Sequence, residues 1–115
     1  MGFEDTELSE NIKGGSPKAK TPTMTLQKAI EMGEYDPNFL STFPEWHSLS
    51  RHVQFQHIRS ALDNRRRQLV VQWAEINNVL DFRTKPHLQQ ALRNIEKQHK
   101  KLDEDWERLY LEYSI

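Results

Sequence analysis

Hydrophobic positions in the second half of the chain recur with helical spacing in two long segments. At about 100° per residue, those of the first segment share a stripe narrower than about 90°. They are Phe55, Ile58, Leu62, Leu69, Trp73, Ile76 and Leu80. The second segment repeats the pattern with Leu88, Ala91, Leu92, Ile95, Leu102, Trp106, Leu109 and Tyr113. Each pattern predicts an amphipathic helix that needs a packing partner.

The connection between these two segments predicts how they pair. Pro86 would interrupt a single continuous helix, and a link of about six residues makes neighbouring helices antiparallel. Thr42 and Thr84, each followed two residues later by proline, are the predicted N-caps. The sequence therefore predicts an all-α fold, an antiparallel long-helix hairpin that is coiled-coil-like, with helices at about 43–81 and 85–113.

Two short helices are predicted in front of this hairpin. Thr25 is a candidate N-cap for a helix at about 26–32, which Gly33 ends in the left-handed conformation. Asp36 and Pro37 start a second short helix at about 37–42. Residues 1–24 contain few apolar side chains and predict a disordered tail, so the helical domain is expected to span residues 25–115.

Apolar side chains outside the two stripes are candidates for partner binding. Trp46, Leu49 and Val53 extend past the end of the second helix and point away from the seam between the helices. Two interpretations stay open: the short N-terminal helices cover them, or they form an exposed patch for another protein. Val71 also lies off the main stripe, and pairing through such positions would join two hairpins into a homodimeric four-helix bundle.

A band of basic residues crosses the middle of the predicted hairpin. It consists of Arg65, Arg66, Arg67, Lys97, Lys100 and Lys101. In one interpretation the arginines form ion pairs along the seam with the acidic run 103–105. In the other, the band binds a phosphate backbone. The net charge of −1 argues against strong nucleic-acid binding.

The sequence contains no recognised catalytic or ligand-binding motif. There is no cysteine, no two histidines are spaced i,i+3 or i,i+4, and the four glycines form no phosphate-binding loop. We therefore predict no catalytic residue, no metal, no cofactor and no small-molecule ligand. No apolar run is long enough to span a bilayer, so we expect a cytoplasmic protein without membrane contact.

These patterns favour a non-enzymatic function. The preferred hypothesis is a helical protein–protein interaction module that binds another protein or a second copy of itself. The alternative is an RNA- or ribosome-associated helical protein that uses the mid-hairpin basic band.

Overall fold

A computed structural model describes residues 24–114, and this part of the chain contains helices but no strand. The α-helices are α1 (Leu26–Glu31), α2 (Pro37–Leu40), α3 (Arg51–Asn77) and α4 (Pro86–Tyr113). Two 3-10 helices occupy Pro44–Ser48 and Phe82–Thr84. Because α3 and α4 pack against each other, the predicted all-α helical hairpin is confirmed. Of the predicted tail, residues 1–23 lie outside the described part, and Met24 packs against the core.

Both ends of α1 are specified by local sequence. The Thr25 hydroxyl accepts a hydrogen bond of 3.0 Å from the Lys28 N–H. At the other end Gly33 has a φ of +85° and donates its N–H to the Ile30 carbonyl, while the next N–H bonds the carbonyl of Ala29. This is the Schellman arrangement, which satisfies carbonyls that the last helical turn leaves free. It turns the chain sharply towards α2.

Between α2 and α3 the structure differs from the sequence prediction. The helix expected from about residue 43 is interrupted: Pro44 opens a 3-10 helix, and Leu49 has extended backbone with φ −86° and ψ 145°. The α-helix starts only at Arg51, where the Ser50 hydroxyl accepts a hydrogen bond from the Val53 N–H. Ser50, and not the predicted Thr42, therefore caps this long helix.

The Thr42 hydroxyl has a different partner. It donates a hydrogen bond of 2.6 Å to the carbonyl of Phe39 at the end of α2. The break before Arg51 also changes the direction of the preceding segment, so the helical projection used for Trp46 does not apply. Trp46 turns into the core, where 4% of its surface remains exposed.

The tip of the hairpin also differs from the prediction. α3 ends at Asn77 instead of about residue 81, and Asp81 takes the left-handed conformation with a φ of +57°. Because Leu80 lies beyond the helix, it leaves the predicted stripe and is 82% exposed. Thr84 does not cap α4, since its hydroxyl donates to the Asp81 carbonyl. Pro86 occupies the first turn of α4, where its missing N–H is harmless.

One continuous core connects the short helices to the hairpin. Its buried side chains are Leu26, Ala29, Ile30, Leu40, Phe43, Trp46, Ile58, Ala61, Leu62, Leu69, Ile95, Leu102 and Leu109. The last buried position of α3 is Leu69, and the first of α4 is Ile95. Between these two positions, which bracket the tip, every described residue is at least partly exposed. The hairpin is therefore closed at its base and open towards its tip.

The short helices close the base from one side only. Asn64 of α3 donates a hydrogen bond of 2.9 Å to the Ile30 carbonyl, and Gln68 donates one of 2.9 Å to the Met32 carbonyl. These bonds satisfy carbonyls at the end of α1 and fix α1 along α3. The opposite side of the hairpin has no such cover among the described residues.

Candidate protein-docking face

The uncovered side of the hairpin follows from helix geometry. A shift of two residues along an α-helix turns a side chain by about 200°. Because Asn64 and Gln68 point to α1, Arg66 and Val70 point roughly the other way. The same holds on α4, where Asp105 bonds the α1–α2 connection and Asp103 faces away.

We call this side the open face. Its residues on α3 are Phe55, Arg59, Asp63, Arg66, Val70 and Trp73. Its residues on α4 are Leu92, Glu96, His99, Asp103, Trp106 and Tyr110.

The half of the open face nearer the tip contains an apolar cleft. Val70 is 52% exposed and Trp73 is 48% exposed, which leaves two large apolar side chains in contact with water. Together with Ile95, Glu96 and His99 they line a cleft of about 280 Å³. A cleft of this size accepts one or two side chains of a partner, and its polar groups lie at the α4 edge.

The half nearer the chain ends contains an aromatic cluster. Phe55 stacks on Trp106 with ring centroids 5.7 Å apart and on Tyr113 at 5.8 Å. Tyr110 lies against Trp106 at 5.6 Å and is half-exposed. The Arg51 guanidinium covers the Tyr113 ring at 4.4 Å from its centroid. This cluster is therefore preorganised by its own stacking, and about half of Tyr110 remains exposed at the surface.

An ion pair separates these two apolar regions. Arg66 donates to Asp103 at 3.0 Å, which confirms the expected ion pair across the seam at mid-hairpin. Both side chains are partly exposed, so the pair adds about 0–1 kcal/mol to stability. Trp73 lies seven residues from Arg66 and Tyr110 seven residues from Asp103, about 10.5 Å in each case. Along its length the open face therefore has an apolar region at each end and a charged region between them.

On the covered side, a buried carboxylate holds the α1–α2 connection. The Tyr35 hydroxyl donates a hydrogen bond of 2.7 Å to Asp105, which also bonds Lys101 at 3.0 Å and Arg108 at 3.5 Å. Burial by itself would raise the pKa of the Asp105 carboxyl, but the bonds from Tyr35 and Lys101 outweigh burial and hold that pKa below its usual range. Burial and the neighbouring carboxylate raise the pKa of the Tyr35 phenol.

These groups line a groove of about 760 Å³ between the connection and α4. Its charges nearly cancel, with the three cations Arg65, Lys101 and Arg108 opposite four carboxylates, and the carboxylate of Asp105 is already bonded. We therefore assign the groove a structural role. The sequence contained no sign of the Tyr35–Asp105 bond, because the two residues are 70 positions apart.

The residues predicted for partner binding differ in their exposure to solvent. Trp46 is buried and Leu49 packs against the core. Both are therefore covered by this chain itself and do not form an exposed patch for another protein. Val53 is half-buried in the first turn of α3. Val71 is 55% exposed but points about 100° away from Val70, towards the outer flank of α3.

The predicted basic band lies at one height of the hairpin but points in several directions. Arg65 donates to the Gly33 carbonyl at 3.3 Å and approaches Glu34 at 3.9 Å, not the acidic run of α4 as expected. Arg67 bonds the neighbouring Asn64. The structure does not bring Arg65 and Arg67 together, although Arg65 and Lys101 line the same groove, where each lies close to a carboxylate.

Of the lysines of the band, Lys101 lines the groove on the covered side, and Lys97 and Lys100 lie on the far flank of the hairpin. Lys101 pairs with Asp105, whereas Lys97 and Lys100 are exposed and have no ion-pair partner within residues 24–114. At about 100° per residue they face away from α3 and therefore from Arg67. The six cations do not form one continuous surface.

No helix of the described residues combines the length and the apolar character that a bilayer crossing requires. Within residues 24–114 no group of three or more metal-ligating side chains could hold an ion. Comparisons of the chain with models of protein families, with curated proteins and with solved structures each find no match.

Proposed function

We propose that this protein is a non-enzymatic helical interaction module whose open face docks the apolar surface of another helical polypeptide. The observation that carries the proposal is the one-sided closure of the hairpin. α1 and α2 cover one side of α3 and α4, while Val70 and Trp73 remain about half-exposed beside an apolar cleft on the other side. The cytoplasmic location expected from the sequence is part of the proposal.

The composition of the open face supports docking. Protein interfaces are enriched in tryptophan, tyrosine and arginine, and their strongest contacts are aromatic anchors in pockets. Trp73, Trp106, Tyr110 and Arg66 are of these types, and Trp73 borders the cleft. Burying the exposed half of Val70 or Trp73 contributes about 1–3 kcal/mol each at about 25 cal/mol per Å².

The arrangement of the cations supports nucleic-acid binding less well. A phosphate backbone needs several free cations along one track. Arg65, Arg66 and Lys101 already bond carboxylates, and Lys97 and Lys100 lie on a different flank from Arg67. Two exposed lysines are a small surface for RNA.

Site-specific photo-crosslinking in cells tests the proposed function. Val70 on the open face and Val71 on the outer flank are each replaced by p-benzoylphenylalanine; the two positions have nearly equal exposure, 52% and 55%. We expect irradiation to give polypeptide adducts from position 70 and few from position 71.

The adducts from position 70 should survive nuclease treatment, since the docked surface is a polypeptide. Equal labelling from both positions, or no polypeptide adduct from position 70, would contradict the proposed function. Adducts that nuclease removes would favour the RNA-associated alternative.

A further inference from the structure

We propose that the occupant of the open face is a second copy of this chain, packed face to face and running antiparallel about a two-fold axis near Asp63 and Asp103. This inference rests on the proposed function and names its partner. Four observations support it: the area of the face, the spacing of its apolar regions, the charges between them and the poorer match of the parallel arrangement.

The size of the open face fits a second hairpin. α3 has 27 residues and is therefore about 40 Å long, and two adjacent helices are about 20 Å wide. Phe55 and Trp73 bound the open face on α3 and are 18 residues, about 27 Å, apart, so the face covers about 540 Å², the area per partner of a weak or transient complex. A single docked helix would cover about half of it. A second copy offers the same length and width.

The apolar regions match when the second copy is reversed. Trp73 and Phe55 each lie nine residues from position 64, on opposite sides of it. An antiparallel pairing about that level places Trp73 of one protomer opposite Phe55 of its partner. The cleft nearer the tip of each protomer then receives the aromatic cluster of the other, and this happens twice because the interface is symmetric.

The polar groups match in the same arrangement. Asp63, which has no ion-pair partner within residues 24–114, comes level with Arg66 of the partner. On α4, Tyr110 and Glu96 each lie seven residues from Asp103, so the Tyr110 hydroxyl can donate to Glu96 of the partner. Each contact again occurs twice, and the two Asp103 carboxylates, which meet near the axis, each keep their ion pair with Arg66.

A parallel arrangement matches less well. It would lay α3 of one protomer over α4 of the other at equal height. Because Arg66 and Asp103 share one height, Trp73 would then oppose Glu96 and Asp63 would oppose Trp106, which sets aromatic side chains against carboxylates. Apolar matching therefore favours the antiparallel pair.

Sedimentation equilibrium of the full chain tests the pairing with two matched variants. We expect the unaltered chain to be a dimer at about 100 μM, Val70→Lys to be a monomer of 13.7 kDa, and Val71→Lys to remain a dimer. Both valines are about half-exposed, so neither substitution should unfold the hairpin, and circular dichroism checks this. Dimers that Val71→Lys breaks and Val70→Lys does not would overturn the assignment of the face.

The orientation is tested by disulfide formation in a chain that has no cysteine of its own. Asp63→Cys lies near the proposed axis and should cross-link to its own copy under mild oxidation. Ser60→Cys, on the outer flank one turn away, is the control and should not. A dimer in which Asp63→Cys stays reduced would overturn the antiparallel arrangement.

Failure of this inference is distinguishable from failure of the proposed function. A chain that remains a monomer at about 100 μM excludes the second copy as occupant. If position 70 nevertheless forms adducts with a different polypeptide, the docking function stands with another partner. If it forms none, both fail.

Discussion

The Tyr35 hydroxyl donates a hydrogen bond of 2.7 Å to the Asp105 carboxylate, across 70 residues of sequence. This bond joins the connection between α1 and α2 to the middle of α4. It therefore links all parts of the base of the hairpin, since α1 itself is bonded to α3 through Asn64.

Removing the Tyr35 hydroxyl should weaken the whole fold. Tyr35→Phe keeps the ring and deletes one hydrogen bond to a charged acceptor, and such bonds contribute about 1.5–3 kcal/mol. We expect the free energy of unfolding to fall by about 1–2 kcal/mol, because Lys101 and Arg108 still compensate the Asp105 charge. Urea unfolding followed by circular dichroism measures it.

The control removes a carboxylate from an exposed ion pair. Asp103→Asn breaks the ion pair with Arg66. Because the Arg66 side chain is 41% exposed and the Asp103 side chain 64% exposed, this loss should lower the free energy of unfolding by less than about 1 kcal/mol. Equal losses from Tyr35→Phe and Asp103→Asn would show that the Tyr35–Asp105 bond has no special role in stability.

The pH dependence of stability should carry the signature of Asp105. Its pKa in the folded chain is lower than its ordinary value of about 3.9, so the folded state holds the proton less tightly than the unfolded state does. The stabilisation is therefore complete above about pH 5 and is lost as the pH falls through the lowered folded pKa. Asp105→Asn should be less stable than the parent at pH 7 and should lose less stability between about pH 5 and 2.

Thermal unfolding at several pH values measures this difference. The matched control is Asp103→Asn, which keeps Asp105 and should lose stability with falling pH as steeply as the parent does. If Asp105→Asn lost stability with falling pH as steeply as the parent, a lowered pKa at the Asp105 carboxyl would be refuted.

The hairpin could be predicted from sequence because burial imposes the helical period directly on the chain. Leu62, Leu69, Ile95 and Leu102 were placed in the seam by spacing alone, and all four are buried. No information from distant residues was needed, because each helix buries a stripe against the other.

Element boundaries near prolines were harder to predict. Thr42 and Ser50 both precede residues that can begin a helix, and local sequence does not rank them. What selects Ser50 is tertiary: the break at Leu49 lets Trp46 enter the core formed with the short helices. The prediction of Thr84 as a cap was wrong for a local reason, since the Thr84 hydroxyl donates to the carbonyl of Asp81, which takes the left-handed conformation.

The open face was only partly predictable. Periodicity assigned Trp73 to the seam, but whether a seam residue is covered depends on where α1 and α2 pack. They lie beside Asn64 and Gln68, near the base, and leave the half nearer the tip uncovered. A choice between two sides of a hairpin involves contacts more than 30 residues apart, which local patterns do not encode.

Charged substitutions in the seam should unfold the protein. Leu69 is 1% exposed and Ile95 is 4% exposed, so Leu69→Asp or Ile95→Asp would bury an unpaired carboxylate. The cost is several kcal/mol against a total stability of about 5–15 kcal/mol. We expect the helical circular dichroism to be lost at a much lower temperature. Val71→Asp, at a 55% exposed position of the same helix, is the control and should change the melting temperature by little.

A side chain at Gly33 should destabilise the fold, for two separable reasons. Its φ of +85° is unfavourable for residues with a Cβ, and a Cβ built there would lie 3.2 Å from backbone atoms of Arg65 in α3. We expect Gly33→Ala to lower the free energy of unfolding by about 1–2 kcal/mol. Gly33→Asn separates the causes, because asparagine accepts the left-handed conformation but brings the same Cβ. An asparagine variant as stable as the parent would show that the approach to Arg65 costs nothing, whereas equal losses for both variants would assign the cost to that approach. Urea unfolding of the three proteins distinguishes these results.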